Sequence, residues 1–469
     1  MAKNEVEEID EEYTLDRVPP NVGLSYVGIA AILFVWAVQP ATLIGGGIIG
    51  ANVPIIAAII GILLGDLFLG IISIPIGYMG QRVRYATGMI LRYIMGHVGS
   101  IVPSILEASV MLGWATFCWW IWSNAIGVLV ANGILGLAPT DPAWGSIFNT
   151  WYVIGLILAT VLATLAMYKG LQGFQWISYV GTPALLILMF YITYKVVANV
   201  GGWSALVAMP PPAAAAGGVA MGVTFAMVIA IGSWINGTTV MSDFTRMAKT
   251  KWGGLFGPFP ALVIGESLVL ILAAVSTAGY ASVLGENAYN TLFVAMTLGR
   301  GVTIVTAVLF ILMLFTTNPT TTYSSSLQWS NVFKTRYWIP FILMNIASAV
   351  LAAIIQFTVG AMAAMIFFLN TIATFLPALG GTMIAEYWIV RRGKFPDTPW
   401  ECIRKFNIPA YIAWLIGTGV NWYSTANNIG APGVNGFLAA LVVYSILGIA
   451  LRSYIPMTKD EAAKYGAEM

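Results

Sequence analysis

The chain has 469 residues, 59% of them hydrophobic and only 9% charged, with a formal net charge of +2 and a mean hydropathy of +0.85. A soluble domain carries about 25% charged residues, so the composition excludes one and points to an integral membrane protein. The near-neutral balance gives no sign of nucleic-acid binding, and two cysteines, Cys118 and Cys402, make no disulfide framework.

The N-terminal stretch "MAKNEVEEIDEEYTLDR" is acidic rather than basic and then apolar. It reads as a solvated cytosolic arm and not as a secretory signal. Apolar runs of roughly 20 residues follow, each able to cross a ~30 Å hydrocarbon core. They predict twelve spans, near 24–49, 52–78, 100–130, 148–168, 175–198, 219–241, 256–280, 297–326, 338–357, 360–388, 409–424 and 433–453. The runs do not alternate, which excludes outer-membrane strands. With the N-terminus in the cytosol, an even count returns the C-terminus there, together with the loops 80–99, 169–174, 242–255, 331–337 and 389–407. Of the 21 lysines and arginines only Lys195 and Arg300 then fall outside, as the positive-inside rule requires. The expected location is the cytoplasmic membrane, crossed many times.

Span one reads "LFVWAVQPATLIGGGII". Pro40 removes an N–H and frees the Trp36 carbonyl, while Gly45, Gly46 and Gly47 lower helical preference, so a break is predicted. Span two carries Asp66. Span three carries Glu107 and "LGWATFCWWIW", whose spacing puts Trp114, Phe117 and Cys118 on one face. Span six has a polar centre, "IGSWINGTT", between Gly232 and Gly237, which predicts a second break; Asp243 closes it as a partner for loop arginines. Span seven holds Glu266 inside "VIGESLVL".

Span eight ends "MLFTTNPTTTYSSS", with Met313, Thr316, Thr317, Thr320, Thr321 and Ser324 on one face and Pro319 loosening the last turns. Membrane hydroxyls often bond their own backbone. This many beside an Asn-Pro step suit a monovalent cation, because divalent ions recruit carboxylates.

Helix breaks within a membrane line protein cavities. Spans one and six each head a five-span half, and an odd-numbered half inserts upside down. The prediction is an all-α membrane protein with a five-plus-five inverted repeat, broken helices 1 and 6, and two additional C-terminal helices. Its divisions are a tail over 1–20, one repeat over 21–200, a second over 201–395, and the extra helices with a tail over 396–469. Asp66, Glu107 and Glu266 are ionisable at membrane depth and so are functional suspects; Glu266 is the candidate proton site. With one histidine, His97, and no GxxxxGK[ST], HExxH or paired-cysteine motif, the chain is expected to be a secondary carrier and not an enzyme. No cofactor beyond a coupling ion is expected.

Taken together, "LGWATFC", "IGSWINGTTVMSDFTRMAK", "FTTNPTTTYSSSLQWSNVF", "LPALGGTMIAEYWIVRR" and "MILRYIMGHVGS" resemble the first nucleobase–cation symport family, along nearly the whole chain. The family includes cytosine, hydantoin, purine and allantoin transporters. The resemblance implies that Trp114 and Trp234 stack on opposite faces of a planar ring. Gln39 and Asn236 would bond its edge, with Gly232 and Ser233 beside them. Cys118 and Thr322 stand where a hydantoin carrier has substrate-contacting amides, and Met313 stands where cytosine permease has an asparagine. For sodium, the family pattern implies the Thr316 and Thr317 hydroxyls with the carbonyls of Val35, Val38 and Met313. The expected activity is sodium-coupled import of a nucleobase, cytosine first, by a protein for which a monomer suffices. A hydantoin, allantoin or purine cargo, or proton coupling, is the alternative; a non-transporting sensor would be a different class.

Overall fold

The computed structural model describes residues 13, 16–169, 175–210, 218–284, 289–395 and 403–451. The acidic arm before Tyr13, Cys402 and the tail beyond residue 451 lie outside the described residues. Among those residues the chain is helical without a β-strand; Leu24 and Ala248 form one isolated parallel bridge.

Nine described helices are long and apolar enough to cross a membrane, and one bent pair makes a tenth crossing. The bent pair is α1 (Tyr26–Ala37) and α2 (Pro40–Asn52), inclined by 50°. A proline disfavours helical geometry in the residue before it, and Gln39 is extended, with φ −141° and ψ 161°. Pro40 then takes the first position of α2, where its missing N–H is harmless. The freed Ala37 carbonyl accepts from Thr42 Oγ1 at 2.9 Å and from the Gln39 N–H at 3.2 Å. The predicted break in span one is therefore present, one residue ahead of the proline.

The remaining spans are α3 (Ile55–Val83), α5 (Ile101–Val128), α6 (Trp144–Lys169), α7 (Gln175–Asn199), α8 (Gly218–Thr239), α9 (Ser267–Leu284), α10 (Arg300–Phe333), α11 (Trp338–Ile354) and α12 (Ala361–Ile384), with α4 (Thr87–Met95) a short helix after α3. A wide-turned segment, Pro260–Glu266, leads into α9. At the C-terminal end α13 (Ile408–Ala426) and α14 (Val434–Ala450) pair with each other and against α12.

Span six corrects the expectation of a second broken helix. α8 runs without interruption through Gly232 and Gly237 and ends only at Thr239. The glycines serve packing instead. A Cβ on Gly232 would strike the Leu369 carbonyl of α12, and one on Gly237 would enter the Trp234 indole. α10 likewise continues through Pro319. In α2, Gly46 and Gly50 sit against the backbone at Leu270 and Ala274 of α9, one helical turn apart on both sides, the small-residue contact of close-packed membrane helices. Gly50→Val is expected to destabilise the fold by at least about 1–3 kcal/mol, read as a drop in melting temperature of the detergent-solubilised protein.

The tightest helix pairs are α3 with α8, α2 with α9, and α5 with α10. In span numbers these are two with six, one with seven, and three with eight. The set maps onto itself when one exchanges with six, two with seven and three with eight. Polarity is arranged inside out: Asp66, Glu107, Asn236, Glu266, Asn318 and Gln328 have no exposed surface, while Leu64, Ile71, Ile187, Phe367, Leu415 and Ile446 stand on the outer face.

Candidate functional site

The first half of the site comes from the extended step between α1 and α2. It carries Gln39, 6% exposed, into the middle of the bundle. α5 brings Met111 and Trp114, α8 brings Ser233, Trp234 and Asn236, and α10 brings Thr321; these residues meet around a cavity of about 20 Å³ that Trp36, Thr42 and Gly237 complete. That volume is room for about one water molecule and not for a ring.

Five residues of the predicted substrate set, Gln39, Trp114, Ser233, Trp234 and Asn236, therefore share one cavity. Three are placed differently. Cys118 is fully buried behind the cavity, its Sγ 3.9 Å from Gln39 Oε1. Gly232 faces α12. Thr322 turns its hydroxyl onto the Asn318 carbonyl at 3.1 Å, as buried helix threonines do.

Trp36 is the residue that the sequence reading missed as a side chain. Its ring lies 4.7 Å from that of Trp234, edge to face, and 4.8 Å from Phe244. Its Nε1 donates to Thr321 Oγ1 at 3.1 Å. Trp36 also lines a second cavity of about 150 Å³, with Val35, Phe244, Met247, Thr316, Thr317, Thr320 and Tyr323 among its other walls. Trp36 thus lines both the small cavity and the large one. The available signal was its position three residues before Gln39.

The face predicted on span eight is real in its geometry. Thr316, Thr317 and Thr320 border the large cavity, Thr321 holds Trp36, and Ser324 donates to Asp243 Oδ2 at 2.6 Å. Asp243, buried and also accepting from the Thr87 N–H at 2.8 Å, has Arg246 as its charged neighbour. Of the predicted sodium set, Val35, Thr316 and Thr317 line the large cavity, whereas Val38 and Met313 are not among its walls. Both threonine hydroxyls donate to the Met313 carbonyl at 2.8 Å. Each hydroxyl oxygen retains acceptor capacity when it donates, so this back-bonding leaves it able to ligate a cation.

Glu266 ends the wide-turned segment and accepts a hydrogen bond from Ser233 Oγ, a group of the small cavity. Asp66 is its electrostatic neighbour and accepts from Ser267 Oγ at 2.7 Å. Each carboxyl keeps one buried oxygen without a protein partner. Glu107 accepts from Asn236 Nδ2. Among the described residues no group of three or more His, Cys, Asp or Glu side chains could hold a metal ion.

The family described as permeases for cytosine/purines, uracil, thiamine and allantoin matches residues 27–447. Cytosine permease of Escherichia coli (strain K12) is 24% identical over 461 residues, covering 97% of this chain and 98% of that protein. Hydantoin permease of Microbacterium maritypicum is 23% identical over 455 residues, covering 91% and 84%. Among solved structures, Mhp1, a nucleobase-cation-symport-1 family transporter, is similar in a closed conformation with bromovinylhydantoin bound (TM-score 0.72, 19% identity, 95% and 96% covered). Its inward facing conformation is similar too (TM-score 0.76, 17% identity, 97% of each chain covered). At these identities the two structures establish a shared fold.

Proposed function

This chain belongs to the permease family for cytosine/purines, uracil, thiamine and allantoin, and on that basis we propose that it imports a planar nitrogenous ring by sodium-coupled symport, with cytosine as the first cargo to test. One observation carries the reading: two tryptophans and two amide side chains, Trp114, Trp234, Gln39 and Asn236, converge on one buried cavity. Aromatic faces hold a flat heterocycle by stacking, about 1–3 kcal/mol for each base, and amides match a mixed donor–acceptor edge. The 20 Å³ cavity is then the closed form of the site, and it opens when Trp36 withdraws from Trp234. The helix pairing that survives exchange of spans one and six, two and seven, and three and eight supports two inverted five-helix repeats over 21–200 and 201–395 that rock against each other. The N- and C-termini face the cytosol in this reading, and the membrane is the cytoplasmic one.

For coupling, the C-terminal end of α1 presents carbonyls that the helix itself leaves without partners, and its dipole favours a cation. The Thr316 and Thr317 hydroxyls face the same large cavity as Val35. Val38 and Met313 would join as carbonyl ligands after a local shift. Thr316→Ala is expected to weaken sodium binding about tenfold and, through linkage, to weaken ring binding measured in sodium. Ring affinity in sodium-free buffer should stay within about threefold. A second reading, proton coupling, is favoured by the buried Asp66–Glu266 pair touching the cavity through Ser233.

The test is a thermal-shift panel of the purified protein with cytosine, uracil, purines, hydantoin and allantoin, with and without sodium, since a ligand of the folded state raises its melting temperature. Stabilisation by one ring, enhanced by sodium, supports the reading. No response to any ring would overturn it, and an equal response without sodium would favour the proton.

A further inference from the structure

Asn236 carries both a donor and an acceptor, and an amide left to itself can turn either one toward a ligand. Here Glu107 makes the choice. Its carboxyl, on α5, is fully buried against α8, and Asn236 Nδ2 donates to Glu107 Oε2. The contact joins the amide nitrogen to a carboxyl oxygen, the pairing that a carboxylate, having no hydrogen to give, enforces. The end left over is Oδ1, which is buried without a protein partner, on a side chain that lines the small cavity. An unmet buried acceptor is costly, and a ligand that brings a donor removes the cost.

We propose that Glu107 is a positioning residue that locks Asn236 with its carbonyl oxygen toward the cargo, so that the transported ring must offer an N–H or amino donor at this edge. The proposal rests on the reading of this cavity as a ring site and narrows it to a chemical class. Aminopyrimidines, and rings with a free imide or lactam N–H, satisfy it. A ring whose matching edge carries only acceptors or is N-alkylated there is rejected. The requirement is set by a residue of span three that need not touch the ring.

A donor swap tests the polarity directly, with cytosine and hydantoin as probes. In Asn236→Asp two carboxyls face each other and the donor is gone, so affinity is expected to fall at least about tenfold. In the double variant Glu107→Gln/Asn236→Asp the introduced glutamine amide donates to the introduced carboxylate, whose second oxygen still faces the ring. Its affinity is expected to return to within about threefold of the wild type. A role in which Asn236 gives its N–H to the ring cannot be rescued in this way, because the aspartate has no N–H. A double variant that folds but binds as weakly as the single one would overturn the proposal, as would a single variant with undiminished affinity. Should Asn236→Asp fail to fold, the double variant against the wild type decides the matter alone. Absence of binding by the wild type to any ring would instead overturn the ring-site reading beneath it.

Discussion

Replacing Trp234 with alanine is expected to lower the affinity for the cargo ring roughly 5- to 150-fold, the loss of one stacking face worth about 1–3 kcal/mol. The indole is 4% exposed and is seated by Gly237 of the same helix, whose missing side chain makes the space it occupies. Gly237→Ala is therefore expected to act in the same direction, by displacing the ring and not by removing it. Isothermal titration with cytosine and hydantoin measures both variants. An unchanged affinity in Trp234→Ala, in protein with unaltered thermal stability, would remove this residue from the stack.

The second large effect concerns Trp36, which lines both cavities and is held by Thr321 and packed on Trp234. Trp36→Ala is expected to merge the two spaces. Cys118 reports this, because it is fully buried just behind Gln39. In a Cys402→Ser background, alkylation of Cys118 by a small maleimide should rise at least about tenfold in Trp36→Ala, as the opening that exposes it becomes less costly. Ring dissociation should accelerate in the same variant. If the alkylation rate does not change, Trp36 does not keep the two spaces apart.

Much of this arrangement was legible in the sequence, for identifiable reasons. The apolar runs gave the positions of the first ten spans, because hydrocarbon demands length and apolarity whatever the tertiary contacts. The break at Gln39–Pro40 was legible because a proline constrains its predecessor locally. The face of span eight followed from helical spacing alone. Span six was misread because a glycine in a membrane helix has two meanings, a weak point or a contact point. Which applies to Gly232 depends on Leu369, a residue far along the chain whose approach no local pattern reveals. Gly237 answers to Trp234, three residues away, and the pair was visible but not its packing. The family resemblance places Thr322 at a hydantoin-contacting position, whereas here its hydroxyl bonds the preceding turn. Glu107 was noticed as a buried acid, but its hold on Asn236 joins spans three and six and belongs to the tertiary structure.

The acids sort by surroundings. Asp243 has Ser324, the Thr87 N–H and Arg246 around it, which suits a structural role beside the large cavity. Glu386 likewise pairs with Arg391 at 3.0 Å and accepts from Tyr444 at 2.8 Å. Asp66 and Glu266 have hydroxyls and each other. Two buried carboxyls so close resist simultaneous ionisation, which is why the proton alternative attaches to them and not to Asp243 or Glu386.

The most direct measurement of the central claim is uptake of radiolabelled cytosine into proteoliposomes containing the purified protein, repeated with hydantoin and allantoin. An inward sodium gradient should drive ring accumulation above the external concentration, and collapse of that gradient should abolish it. Accumulation of none of these rings under either a sodium or a proton gradient, by protein that still binds one of them, would contradict the account.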